Sequence, residues 1–268
     1  MSANSLPRRM VKKLAAPLLG ETTYSLLQAA AMGWDIRRGV WFEPEIDFAK
    51  TIVRHGDTVI DIGANFGLWA HHLSQAVGPE GRVHSFEPIP FTARTFRLIS
   101  HALGFAKNTT LHEVGCGEKN ESVVFKVPVM DNGAISAGLV HMGRDDERPG
   151  REVFARFPKT KDVPCRVVRI DDELPGLKNL TLLKCDIEGA DLFALRGAES
   201  TLRRHKPALV IEITPWFLAG FGMHVSDVTG FLRSLGYHAH RWTHGTLVAT
   251  KDEDIVEANW VFLHDKRA

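Results

Sequence analysis

Between Asp57 and Gly67 the chain reads DTVIDIGANFG, an apolar run that ends in an acid and then turns on small residues. A helix-period segment, Leu68–Val77, follows at once and stops at Gly78 and Pro79. Arg82–Glu87 is a second apolar run into an acid, stopped by Pro88. Neighbouring parallel strands need a crossover of a dozen or more residues, usually a helix, and this spacing supplies one. Phe91–Leu103 repeats the helical period and ends at Gly104, and Thr110–Val114 gives a third strand. The pattern predicts an α/β fold: a mostly parallel, doubly wound sheet with helices on both faces. With 268 residues, 44% of them hydrophobic, the chain can bury the core of one such domain.

The rhythm then changes. Ser122–Val127 alternates like a half-exposed strand, and Met130–Lys161 is rich in Gly, Pro and charge. A lid insertion is expected near residues 128–163, carrying His141 and Ser136 as groups able to meet a ligand on closure. Arg166–Ile170, Thr181–Ile187 and Ala208–Ile213 read as strands, Leu192–Arg204 and Val225–Leu235 as helices. Tyr237–Trp242, Thr246–Thr250 and Trp260–Leu263 finish the sheet with an antiparallel pair. The expected organisation is a helical extension over residues 1–50 and one Rossmann-like domain over 51–268. His71 and His72 are expected on the solvated face of the first helix after the turn.

The net charge of +1 gives no reason to expect nucleic acid as a partner. Cys116, Cys165 and Cys185 are far apart and form no CxxC pair, so free thiols in a reducing cytoplasm are expected. Arg8, Arg9, Lys12 and Lys13 precede apolar residues, but Pro17 and Glu21 interrupt any signal-peptide core. No segment approaches the ~20 apolar residues of an integral membrane span. An amphipathic helix packed on the domain, or on a second copy in a homodimer, is the expectation here. A membrane-surface helix is the alternative.

Ligands of open α/β sheets bind at the carboxyl ends of the strands, so Asp61–Gly67 lies where a cofactor belongs. Gly63 permits an unusual backbone angle or a close approach, and Gly67 opens the helix whose free amides can hold a carboxylate. A dinucleotide turn needs a middle glycine for the pyrophosphate, and here that position is Asn65. Asn65 suits an amino-acid head group, and Asp61 suits its ammonium. Ala64 and Phe66 complete the turn, Phe66 packing beneath the cofactor or flanking it. Glu87, 20 positions beyond Gly67 and fixed by Pro88, matches the acid that binds ribose hydroxyls. An amino acid joined to a nucleoside, with a positive sulfonium, is S-adenosyl-L-methionine.

These segments, with KCDIEGAD (Lys184–Asp191), LRGAES (Leu195–Ser200) and PALVIEI (Pro207–Ile213), resemble the FkbM-type S-adenosylmethionine-dependent methyltransferases. The resemblance runs from about residue 40 to the end of the sequence. It implies a class I methyltransferase fold, with a seven-stranded mostly parallel sheet and an antiparallel end strand. It also implies O-methylation of a sugar or natural-product hydroxyl, and it brings Gly115 and Cys116 near adenine. Asp191 stands where the family more often has Glu.

Such a reaction must accept the proton of a weakly acidic hydroxyl. Asp186 and Glu188 follow one strand and Glu212 ends the next, so these three are the candidate catalytic acids, with Asp186 also beside the cofactor. Two positions apart in an extended chain, Asp186 and Glu188 point the same way. Oxygen ligands at two strand ends also suit magnesium, though no metal ligand is assigned. Lys184 either neutralises the acids or points away. Trp41 is placed to line the acceptor cleft or to pack in the core. The alternative functions are a nicotinamide oxidoreductase, which Asn65 disfavours, and a non-catalytic cofactor-binding partner protein.

Overall fold

Two long ladders organise the molecule, one at its centre and one standing off it. The structure, a computed structural model, describes residues 21–129, 141–142 and 159–266. The central sheet begins with β1 (Thr58–Ile62), which enters α3 (Leu68–Val77) and returns as β2 (Arg82–Phe86). Then come α4 (Pro90–Leu103) and β3 (Thr109–His112). Ahead of β1 stand α1 (Glu21–Arg38) and α2 (Glu45–Ile52). The second ladder uses β4 (Gly115–Cys116), β5 (Glu121–Val129), β6 (His141–Met142) and β7 (Lys159–Val168). The chain then returns to the central sheet through α5 (Ile170–Glu173), β8 (Leu180–Cys185), α6 (Asp191–Gly197), α7 (Glu199–His205) and β9 (Ala208–Ile213). It finishes with α8 (Pro215–Gly220), α9 (Val225–Ser234), β10 (Tyr237–Thr243), β11 (Thr246–Ala249) and β12 (Ala258–His264).

The central order is β11-β10-β12-β9-β8-β1-β2-β3, and β3, β2, β1, β8 and β9 run parallel. This is the class I methyltransferase sheet, with two departures from expectation. There are eight strands rather than seven, because Thr246–Ala249 adds an outer antiparallel strand to β10. The antiparallel β12 lies inside the sheet, between β9 and β10, rather than at its end. Apolar period identifies a strand but not its neighbours, so this order was not readable from the sequence.

Both faces of the sheet are covered. Ile60, Ile62, Phe86, Leu183 and Ile211 pack toward α6 and α9. Val59, Val83, Leu182 and Val210 pack toward α1–α4. Near-continuous burial of the central strands is what a doubly covered parallel sheet requires. The helix expected over Leu192–Arg204 is broken at Ala198. A side chain at Gly197 would collide with the Gly117 carbonyl, so the chain passes close to the β4 turn there and restarts as α7. His71 and His72 are not a solvated face: His71 is buried against Phe105 and His72 meets Phe42 edge-on. The three cysteines are free and buried.

Strands β5 and β7 pair over nine positions, from Glu121↔Val167 to Val129↔Lys159. Strand therefore reaches into both ends of the span expected to be a lid. The charged KTKD start of β7 hid it, since a two-stranded arm with exposed sides needs no apolar period. His141 lies on β6 opposite Lys126, and Ser136 lies outside the described residues.

Candidate active site

The carboxyl ends of β1, β8 and β9 bring acids together by register. Asp61 pairs across with Lys184, so their side chains share a face of the sheet. The β8–β9 ladder pairs Cys185 with Ile211, one position before Asp186 and Glu212. Lys184, 3% exposed, is the hub. Its Nζ donates to the carbonyls of Gly63 (3.0 Å) and Ile62 (3.4 Å). It also ion-pairs with Asp186 (3.4 Å) and Asp61 (3.7 Å). Burial alone would depress this ammonium, but Asp186, Asp61 and Glu43 hold it above its ordinary value. Of the two readings of Lys184, neutralising the acids is the one the geometry supports.

The turn after β1 is held from beneath. Gly63 has φ +75, and any side chain there would collide with the Asp186 carbonyl, so its glycine serves the approach of the β8 loop. Gly67, at φ +91, faces Phe96 and Phe105 and starts α3. Asn65 also adopts a left-handed angle, φ 48, and its Oδ1 is buried without a partner. Ala64 and Phe66 are buried in the core beneath the turn, which gives Phe66 its packing role. Glu87 reaches across from β2: its carboxylate accepts the Asn65 amide (3.1 Å) and the Ile89 amide (2.9 Å). The acid at ribose distance is thus also the brace of the turn. Asp61 is wholly buried and faces Lys184.

The three candidate catalytic acids come together, though not by an extended chain. Glu188 sits at φ 53, so the segment after β8 curls. Asp191 clamps that curl by accepting the amides of Ile187 (3.2 Å) and Gly189 (3.1 Å). Asp186 and Glu212 share a hydrogen bond between their carboxyl groups. Burial, then Asp186, pushes Glu212 up to about 9. Glu188 is driven well above the carboxylate range by burial and by Asp186 and Glu212, and its Oε2 has no partner.

Sequence reasoning missed Glu43. Its Oε2 accepts the Trp69 indole N–H (2.6 Å) and the Asn259 amide (3.4 Å). Burial is the main cause that raises it, and it adds charge beside Lys184 and Asp61. The only local signal was an acid in an apolar turn, GVWFEPEI. Trp41, two positions before it, packs against the core.

A cavity of about 420 Å³ opens beside this cluster, within the ~300–1,000 Å³ of small-ligand pockets. Gly63, Pro88, Gly115 and Cys116 line it with Phe125 and Phe193. Four predicted cofactor residues therefore border one space, while Asp61, Ala64, Asn65, Phe66, Gly67, Glu87 and Asp186 are not part of its lining. The residues fit S-adenosylmethionine on two observations. Asn65 Oδ1 and Glu188 Oε2 are orphaned buried acceptors, which an ammonium or hydroxyl donor would satisfy. The acids also outnumber the cation: among the described residues, only Lys184 is ion-paired with Asp61 or Asp186. No group of three or more His, Cys, Asp or Glu among the described residues is arranged to hold a metal.

The raised acids give a pH dependence. A carboxyl raised in the fold contributes stability that is present below its unfolded value near 4 and lost as pH rises through the folded one. Glu87 (about 7) loses its contribution between about pH 4 and 7, and Glu212 (about 9) between about pH 4 and 9, both raised mainly by burial, so Glu212 carries the slope across pH 7–9. The half-buried His72 and His84, lowered to about 4 mainly by desolvation, slope the other way but only below their ordinary 6.5. The melting temperature of the ligand-free protein is expected to fall by on the order of a few °C from pH 7 to 9. Glu212→Gln should flatten that fall. A rising profile in the wild type would contradict the assignment.

Residues 61–239 match the model of the methyltransferase FkbM domain. Methyltransferase 1 of Beauveria bassiana is 27% identical over 146 residues, covering 53% of this chain and 58% of that protein. The 31-O-demethyl-FK506 methyltransferase FkbM of Streptomyces tacrolimicus is 26% identical over 168 residues, covering 55% and 61%. The match thus spans about three-fifths of the length of these relatives. Among solved structures, a methyltransferase FkbM from Methylobacillus flagellatus superposes with a TM-score of 0.48 at 19% identity, covering 96% of this chain and 59% of that one.

Proposed function

Because this chain belongs to the FkbM methyltransferase family, we propose that it moves the methyl group of S-adenosylmethionine onto a hydroxyl of a small molecule or glycan. When bound, the cofactor supplies a methyl carbon already activated by its sulfonium. The chain must hold the cofactor, position the oxygen and take its proton. Gly63, Pro88, Gly115 and Cys116 would border the adenosyl group, Glu87 would meet ribose, and Asn65 the amino-acid head.

The observation that carries the reading is the Asp186–Glu212 pair backed by Lys184. Two hydrogen-bonded carboxyls share one proton, because a second buried negative charge beside the first is costly. Lys184 pairs with Asp186, whose side chain is 31% exposed, while burial and the neighbouring Asp186 raise Glu212. Asp186 is therefore the base offered to an incoming hydroxyl. Glu188, whose Oε2 has no partner in the fold, positions the acceptor or the cofactor.

The assay is a thermal shift followed by transfer of labelled methyl to a panel of hydroxylated acceptors. S-adenosylhomocysteine at about 100 times its Kd should stabilise the protein by about 2.7 kcal/mol, or roughly 5–10 °C. Stabilisation by NAD and not by S-adenosylhomocysteine would defeat the proposal. Label on nitrogen instead of oxygen would defeat its O-methylation half.

A further inference from the structure

Helix α1 is apolar on two sides. One side, with Tyr24, Ala29 and Ile36 buried, packs toward α4: Tyr24 stacks on Phe91, and Gly33 lies against Ile99. The other side carries Leu26, Leu27, Ala30, Trp34, Arg37 and Arg38, all exposed and repeating every three or four positions. The turn after it adds exposed Val40 and Phe42. Leu26, Leu27, Trp34, Val40 and Phe42 make up five of the eight exposed large hydrophobics among the described residues, so this is a patch and not scatter.

Charge says what covers it. No carboxylate is exposed between Thr23 and Phe42. The Arg38 guanidinium sits 4.5 Å from the Trp34 ring centre, and the Lys50 ammonium, itself paired with the exposed Asp47 at 3.2 Å, lies 5.2 Å from that of Phe42. By sequence, residues 1–42 hold six lysines and arginines against two acids, while the rest of the chain holds 27 against 30. An aromatic and leucine face rimmed by cations, on a helix too polar to span, matches an interface between hydrocarbon and anionic head groups. A protein partner would need acids at its rim, and a second copy of this face would bring Arg37 and Arg38 toward their own equivalents.

We propose that the exposed face of α1, with Trp34 and Phe42 as its aromatic anchors, docks the protein on the surface of an anionic phospholipid bilayer. The patch shares a turn with the active site, for Phe42 is exposed and the next residue, Glu43, enters the acid cluster.

Co-sedimentation of the full chain with vesicles tests this independently of methyl transfer. Vesicles of phosphatidylcholine with about a third phosphatidylglycerol should pellet the protein, and phosphatidylcholine alone should not. Leu27→Ser with Trp34→Ala should weaken binding about tenfold or more. Arg37→Gln with Arg38→Gln should weaken it at least about fivefold and reduce its salt dependence. Both double variants should keep the wild-type melting temperature and S-adenosylhomocysteine shift, since these side chains face solvent. The proposal is overturned if the wild type binds neither vesicle, or if both variants bind as well as the wild type. It is also overturned if the chain is a dimer that Leu27→Ser with Trp34→Ala dissociates and that ignores vesicles.

Discussion

Substituting Asp186 with asparagine is expected to lower kcat by about two to four orders of magnitude, the usual worth of a positioned base. The amide keeps the shape of the side chain and its hydrogen bond toward Glu212, but it cannot take a proton. Cofactor binding should change little, because the residues bordering the cavity are untouched. Glu212→Gln should cost less, since Asp186 itself remains beside Lys184 at 3.4 Å. Its mark should be a displaced pH profile, the wild-type limb belonging to the pair rather than to either acid. Steady-state kinetics with both substrates varied separates these outcomes. Turnover within threefold of wild type in both variants would mean that proton acceptance happens elsewhere.

The second large effect concerns the fold. Lys184→Met should destabilise the protein by roughly 3–5 kcal/mol near neutral pH, the cost of removing one partner from a buried ion pair. Asp61 would be left with no cation and no hydrogen-bond donor while wholly buried. The loss should be pH-dependent. Asp61, raised already to about 6 by burial, would rise further without the ammonium, and would regain its place by protonating. Stability should then be least impaired at pH 5 and most at pH 8. Urea unfolding at the two values measures it, and adding Asp61→Asn should restore more than half of the deficit. An equal loss at both pH values would mean that Lys184 acts through the Gly63 and Ile62 carbonyls instead.

These two residues mark how far the sequence could be read. Asp186 was legible because an apolar strand running into acids is a local pattern, and the strand end is where such sheets bind ligands. Glu87 was legible by its distance from the turn. Lys184 could only be given two readings, because its role depends on register with Asp61, a partner 123 positions away. Glu43 was invisible for the same reason: its donors, Trp69 and Asn259, lie 26 and 216 positions off. The double brace from Glu87 to Asn65 and Ile89 was hidden by a different cause. One carboxylate has several lone pairs, and sequence spacing suggests one use for it. Glu188 was placed with its neighbours for a wrong geometric reason, since a left-handed residue in a non-glycine position is set by the clamp at Asp191.

The β5–β7 arm has a bearing on how the family can diversify. Its nine residue pairs set its register independently of the chain between Val129 and Lys159. Its inner side is anchored by Ile89, Val127 and Cys165, with the Cys165 thiol 3.2 Å from the Pro88 carbonyl. Pro88 and Ile89 directly follow Glu87, so the arm is bolted to the Glu87 end of the site. Val129 and Lys159 are themselves a ladder pair, so the two ends of the segment between them are held together whatever its sequence reads. Selection can thus rewrite sequence beyond that pair without renegotiating the contact between Cys165 and Pro88.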